Sequence, residues 1–144
     1  MENLVVSACL LGVKCKYNGG DNFNPKVKEI ADRSNVTLVC PEELAGLPVP
    51  RVPSEIMRNE NGEVRVYSKD GEDLTEAFIK GAEKALKIAK ESDAALAVMK
   101  QRSPSCGCGQ IYDGSFTGKV IPGNGVAAEL FMKNGIRVIS EEDL

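Results

Sequence analysis

The chain has 144 residues, 42% of them hydrophobic and 27% charged, and 18 basic against 21 acidic side chains leave a net charge of −3. At about 100–200 residues per domain this predicts one mildly acidic, soluble domain spanning 1–144, without the positive surplus needed to track the phosphates of duplex nucleic acid. There is no His and no Trp, which excludes imidazole triads, imidazole dyads and His-containing zinc sites and leaves five Cys as the soft ligands.

The amino terminus, Met1-Glu2-Asn3-Leu4-Val5-Val6, lacks the basic region and long apolar stretch of a secretory signal. No run approaches the ~20 apolar residues of a membrane span, so a cytoplasmic protein with no membrane partner is expected. Leu4 to Ala8 reads as a buried strand entering a glycine-containing loop at Cys9. Asn24 followed by Pro25 is an N-cap and first helical position, with Val27, Ile30 and Ala31 on one face of the helix it opens. Val36 to Cys40 is a second strand, ended by Pro41 because proline has no amide hydrogen for a central ladder. Pro41 to Pro53 carries four prolines and a glycine, and is expected to be an irregular loop over the strand ends. Glu55 to Tyr67, with Asn61-Gly62 at its centre, predicts a β-hairpin with a type I′ turn. Leu74 to Lys90 repeats apolar residues at helical spacing. Ala94 to Met99 is a third buried strand, Gly125 to Lys133 a last helix and Ile136 to Ile139 a final strand.

Apolar strands alternating with helices predict an α/β fold: a single-domain three-layer sandwich with a mostly parallel, Rossmann-like sheet and an inserted β-hairpin. Ligands of such sheets bind beyond the carboxyl ends of the strands, where Cys9, Cys40 and the Ser103 to Cys106 loop converge. A lone free Cys is usually a small buried hydrophobe. These cysteines instead sit at strand ends in Gly/Pro loops, where they could hold zinc, hold an iron–sulfur cluster or act as redox thiols. Cys15 and Cys108 are further cysteines of the same region; Cys106 and Cys108 are too close for an unstrained disulfide but able to hand on a persulfide. Beside Cys40 stand Glu42 and Glu43, for which a catalytic carboxylate competes with acidic residues opening a short helical turn. Tyr17, Arg51, Lys100 and Arg102 are candidate substrate contacts, solvated charge or ordinary packing being the competing reading.

The blocks Val6 to Gly12, Lys16 to Gly20, Cys40-Pro41-Glu42, Gly46 to Arg51, Gly71 to Leu86, Lys100 to Gly107 and Ile111 to Phe116 resemble the DUF523 family over essentially the whole chain. That family includes thiouracil desulfidases, which remove sulfur from a 2-thiouracil ring with a [4Fe–4S] cluster held by three cysteines. The resemblance implies Cys9, Cys40 and Cys106 as ligands of a [4Fe–4S] cofactor and Glu42 and Ser103 as the proton-transfer groups; Cys15 and Cys108 lie outside that three-cysteine set, as candidates for a fourth ligand or a relay. It implies a small thiolated nucleobase or nucleotide as partner and no obligatory redox partner, since exchange of sulfur for oxygen is a hydrolysis. Three thiolates leave one iron of a cluster open, and soft iron favours the sulfur of a thiocarbonyl. Two alternatives belong to other classes: a non-catalytic zinc- or cluster-binding module, and a Cys106/Cys108 persulfide relay in sulfur transfer.

Overall fold

The computed structural model describes residues 1–144. Four parallel strands form the central sheet: β1 (Asn3–Ser7), β2 (Asn35–Val39), β5 (Leu96–Met99) and β8 (Arg137–Ser140), in the order β2-β1-β5-β8. The side chains of β1 alternate in direction, as a strand requires. Val5 faces the larger core with Ala82, Ala85 and Ala89 of α3 (Thr75–Glu91) and Ala127, Ala128 and Phe131 of α4 (Val126–Lys133). Leu4 and Val6 face the opposite core with Val27 of α1 (Pro25–Ala31) and Leu10. Helices thus cover both faces, giving the expected three layers. No helix is long and apolar enough to cross a membrane.

Asn24 caps α1 as expected, its Oδ1 accepting from the Lys26 and Val27 amides at 2.9 and 3.2 Å. The first strand stops one residue early, at Ser7, because Ala8–Leu11 turns into a 3-10 helix that Gly12 ends at φ 93°. The first antiparallel hairpin, β3 (Ser54–Arg58) with β4 (Val64–Ser68), is present, but its turn is not type I′. A type I′ turn needs positive φ at both Asn61 and Gly62, and only Gly62 has it, at 78°. Asn59 instead closes a longer turn: its backbone carbonyl accepts from the Gly62 amide at 2.9 Å, and its Oδ1 accepts from the amides of Asn61 and Glu63, each at 3.0 Å. A second hairpin, β6 (Gln110–Tyr112) with β7 (Val120–Pro122), follows the Ser103 to Gly109 loop, its strands only three residues long. Ile56, Val66 and Ile111 of the hairpins pack with Phe78 of α3 in a third apolar cluster.

The segment expected to be irregular opens with a helical turn, α2 (Pro41–Leu44). Pro41 occupies the first helical position, where the missing amide hydrogen costs nothing, and Glu42 and Glu43 sit at the positive end of the turn. α2 lies against α3 at Gly81, where a Cβ would come within 2.0 Å of the Pro41 carbonyl oxygen. Gly81→Ala must therefore push α2 away from α3. The expected result is a loss of about 1–3 kcal/mol in urea unfolding, the usual cost of overpacking. An unchanged midpoint would contradict this packing.

Candidate active site

In a 2-1-5-8 parallel order the chain leaves β1 toward one side of the sheet and reaches β5 on the other, which opens a crevice at their carboxyl ends. A cavity of about 460 Å³ lies there, within the usual range for small-molecule sites. Cys9, Cys15, Cys40 and Cys106 all line it.

Each cysteine is positioned by a different piece of local structure. Cys9 stands in the 3-10 turn after β1, its carbonyl accepting from the Gly12 and Asn22 amides, while the Asn22 Nδ2 donates to its sulfur at 3.4 Å. Cys40 is the N-cap of α2. Cys106 is held by the start of α4. The first amides of that helix have no partner within it, and those of Val126, Ala127 and Ala128 donate to the carbonyls of Pro104 and Ser105. Gly125 permits the contact, since a Cβ there would lie 2.4 Å from the Ser105 carbonyl carbon. Cys108 faces elsewhere: its thiol donates to the Val138 carbonyl at 3.3 Å, and it does not line the cavity.

The thiols differ in how readily they ionise. Cys9 is drawn down to about 7, chiefly by the proton offered by the neighbouring Cys15 thiol, against the upward push of burial. Cys40 is lowered chiefly by the same thiol, with the Glu43 amide helping. Cys15 is raised because its proton is held between Cys40 and Cys9. Burial pushes Cys106 up to about 12.

Beside the cysteines runs a hydrogen-bonded chain. The Glu42 side chain is 15% exposed; its Oε1 is 3.2 Å from the Nε of Arg51, itself 8% exposed, and its Oε2 accepts from the Ser105 hydroxyl at 2.9 Å. Ser105 Oγ is 3.1 Å from Ser103 Oγ. With the Ser105 proton committed to Glu42, the Ser103 hydroxyl is the donor of that pair. Ser103 Oγ in turn accepts from the amides of Ser105 and Cys106 at 3.2 and 3.1 Å. Glu42 and Ser103, both candidates from the sequence, are therefore linked through Ser105, which sequence reasoning missed although it is the second serine of Ser103-Pro104-Ser105.

The candidate substrate contacts divide. Tyr17 lines the cavity and is 41% exposed. Arg51 also lines it, but its guanidinium is engaged by Glu42, the Cys15 carbonyl at 2.9 Å and the Pro48 carbonyl at 3.2 Å. That makes it a clamp joining α2 to the Cys15 loop. Arg102 is paired with Glu142 and donates to Gln110, and Lys100 is paired with Glu141 at 3.0 Å. Glu141 also accepts from the Gln101 amide at 2.7 Å, and Gln101 exchanges two 2.8 Å bonds with the Cys108 backbone, so the carboxyl-terminal turn braces the loop that carries Cys106. Nothing in the local sequence around Glu141 signals that role, because the contact spans 40 residues.

A family model described as 2-thiouracil desulfurase matches residues 4–143. The uncharacterized protein YbbK of Bacillus subtilis (strain 168) is 42% identical over 146 residues, which cover 98% of this chain and 97% of that protein. The solved structure of the [4Fe–4S]-dependent thiouracil desulfidase TudS superposes with a TM-score of 0.89 at 36% identity, over 100% of this chain and 93% of that one. The chain belongs to the 2-thiouracil desulfurase family.

Proposed function

We propose that the protein is a hydrolytic desulfidase that converts a thiolated pyrimidine and water into the oxo base and hydrogen sulfide, with no net electron transfer. The observation that carries this reading is the meeting of Cys9, Cys40 and Cys106 with Glu42 on one cavity at the sheet's switch point. The likeness to a [4Fe–4S]-dependent thiouracil desulfidase supports the same cofactor here. The donor set fits it: four cysteines, Cys9, Cys15, Cys40 and Cys106, line one cavity, and thiolate is the soft donor that iron–sulfur clusters take. Cys9, Cys40 and Cys106 would hold the cluster as thiolates, and the lowered Cys9 and Cys40 favour that form. When bound, a [4Fe–4S] cluster with three protein ligands supplies a Lewis-acidic iron with affinity for thiocarbonyl sulfur.

The chain's own residues handle the water and the protons. Glu42 takes a proton from the water that adds to the thiocarbonyl carbon, its carboxylate being oriented by Arg51 and Ser105. Ser103 and Ser105 form a two-hydroxyl relay between Glu42 and the cavity, so that the proton taken from water is returned to the ring or to the leaving sulfur. The carbon–oxygen bond forms, the carbon–sulfur bond breaks, and two protons leave with the sulfur. The geometry favours this over a Cys106/Cys108 persulfide relay, because the Cys108 thiol is bonded to Val138 outside the cavity.

Anaerobically reconstituted protein incubated with 2-thiouracil is expected to release sulfide and uracil in equal amounts over many turnovers without added reductant. Cluster-loaded protein that leaves thiolated pyrimidines unchanged would overturn the reading.

A further inference from the structure

The loop of the second hairpin, residues 113–119, carries a feature that neither the cysteines nor the Glu42 relay uses. Phe116 adopts φ 58°, in the left-handed region that bulky residues rarely enter and that Gly114 and Gly118 occupy on either side of it. The ring is not held there by the core: Phe116 belongs to none of the three apolar clusters and instead lines the cavity, as do Tyr17 and Tyr112.

The backbone around it is tightly fixed. Glu55 Oε1, on β3, accepts from the amides of Gly114 and Phe116 at 3.0 and 3.1 Å. Gly114 is pressed against the same strand, where a Cβ would lie 2.8 Å from that of Met57 and 3.1 Å from the Ile56 carbonyl oxygen. Asp113 Oδ1 accepts from the Ser115 amide and hydroxyl. A strained residue persists where its surroundings over-determine it, and such residues gather at ligand sites. Glycine would fit the backbone of position 116 better than phenylalanine does, so the ring is what the position supplies.

We propose that Phe116 stacks on the ring of the bound pyrimidine and that Glu55 is the positioning residue that aims it. The identity of the ring rests on the desulfidase reading; the placement of an aromatic face on the cavity does not. Stacking of a base on an aromatic side chain tolerates many substituents because every base has a π-face. It therefore binds thio substrate and oxo product alike.

The test is isothermal titration of the anaerobic, cluster-loaded protein with uracil, a probe on which no sulfur chemistry occurs, beside sulfide release from 2-thiouracil. Phe116→Ala and Phe116→Gly are expected to weaken uracil binding by about 10- to 100-fold, the range that loss of one stacking partner gives. KM for 2-thiouracil should rise more than kcat falls. Phe116→Tyr should restore binding. Phe116→Gly should melt no lower than the parent, because it removes the strain along with the ring. Glu55→Ala should weaken binding, and Glu55→Gln should recover it, since the amide oxygen still accepts from both backbone groups.

Parent-like uracil affinity in Phe116→Gly, or a loss of affinity only in step with a lower melting temperature, would overturn the proposal. If the parent binds uracil through Phe116 but releases no sulfide, the stacking inference stands and the desulfidase reading falls. If it releases sulfide and Phe116→Gly keeps full affinity, the stacking inference alone falls. A parent that binds no pyrimidine overturns both.

Discussion

Glu42→Gln is expected to slow sulfide release by about 100- to 10,000-fold, the usual contribution of a positioned general acid or base, with iron content unchanged. The cause lies in what glutamine keeps and loses. It is nearly the same size, so α2 and Cys40 stay where Gly81 allows them to pack. It can still accept from the Ser105 hydroxyl, but it has no negative charge to set against Arg51 and no basicity with which to take a proton from water. Arg51 remains tied to the Cys15 and Pro48 carbonyls, which limits the structural consequence of losing its carboxylate partner. Ser105→Ala should lower the rate by less, because it interrupts the relay from Ser103 while leaving the Glu42 carboxylate in place. Sulfide-release rates measured at matched iron content check both. Full activity in Glu42→Gln would remove the carboxylate from the chemistry.

The second large effect is expected from the cysteines taken one at a time. Cys9→Ser, Cys40→Ser and Cys106→Ser should each lose most of the bound iron and acid-labile sulfide after anaerobic reconstitution, because serine keeps the shape of the side chain but not the soft donor. Sulfide release should vanish with the iron. Cys108→Ser should keep both, since its partner is the Val138 carbonyl and a hydroxyl can donate to it as well. Cys15→Ser is the informative intermediate. Cys15 lines the cavity and offers its proton to Cys9 and Cys40, a role a serine hydroxyl can share, so the iron content should persist. Iron and sulfide analysis with the visible absorption spectrum reads all five variants. Retention of a full cluster in Cys106→Ser would contradict the ligand assignment.

What could be read from the chain was set by how local the cause is. The three strand ends were legible to within a residue because each is a short apolar run that gives way to a loop signal: a glycine-containing turn after Ser7, Pro41 after Val39 and Cys40, and the charged Lys100 after Met99. Their convergence then followed from the parallel sheet, with no pairing information needed. α2 was legible only as one of two readings of Glu42 and Glu43, because a proline at the first helical position looks like a breaker when counted with the prolines that follow. The type I′ turn was wrong because Asn59, outside the Asn61-Gly62 pair, captures two amides with its side chain and lengthens the turn. Ser103 entered only through the family resemblance; Ser105, which touches Glu42 and is 1% exposed, had no local signal, because only the fold brings residues 63 apart into contact. Arg51 and Arg102 were legible as charges near the site, but their carboxylate partners were not.

In a hydrolytic desulfidase the oxygen of the product comes from water and the sulfur leaves as sulfide. Turnover of 2-thiouracil by the anaerobic, cluster-loaded protein in ¹⁸O-labelled water, followed by mass spectrometry of the uracil, tests it most directly. Hydrolysis gives one labelled oxygen in each uracil and one sulfide released for each, with no electron donor consumed. Unlabelled uracil, or turnover that stops without a reductant, would contradict it.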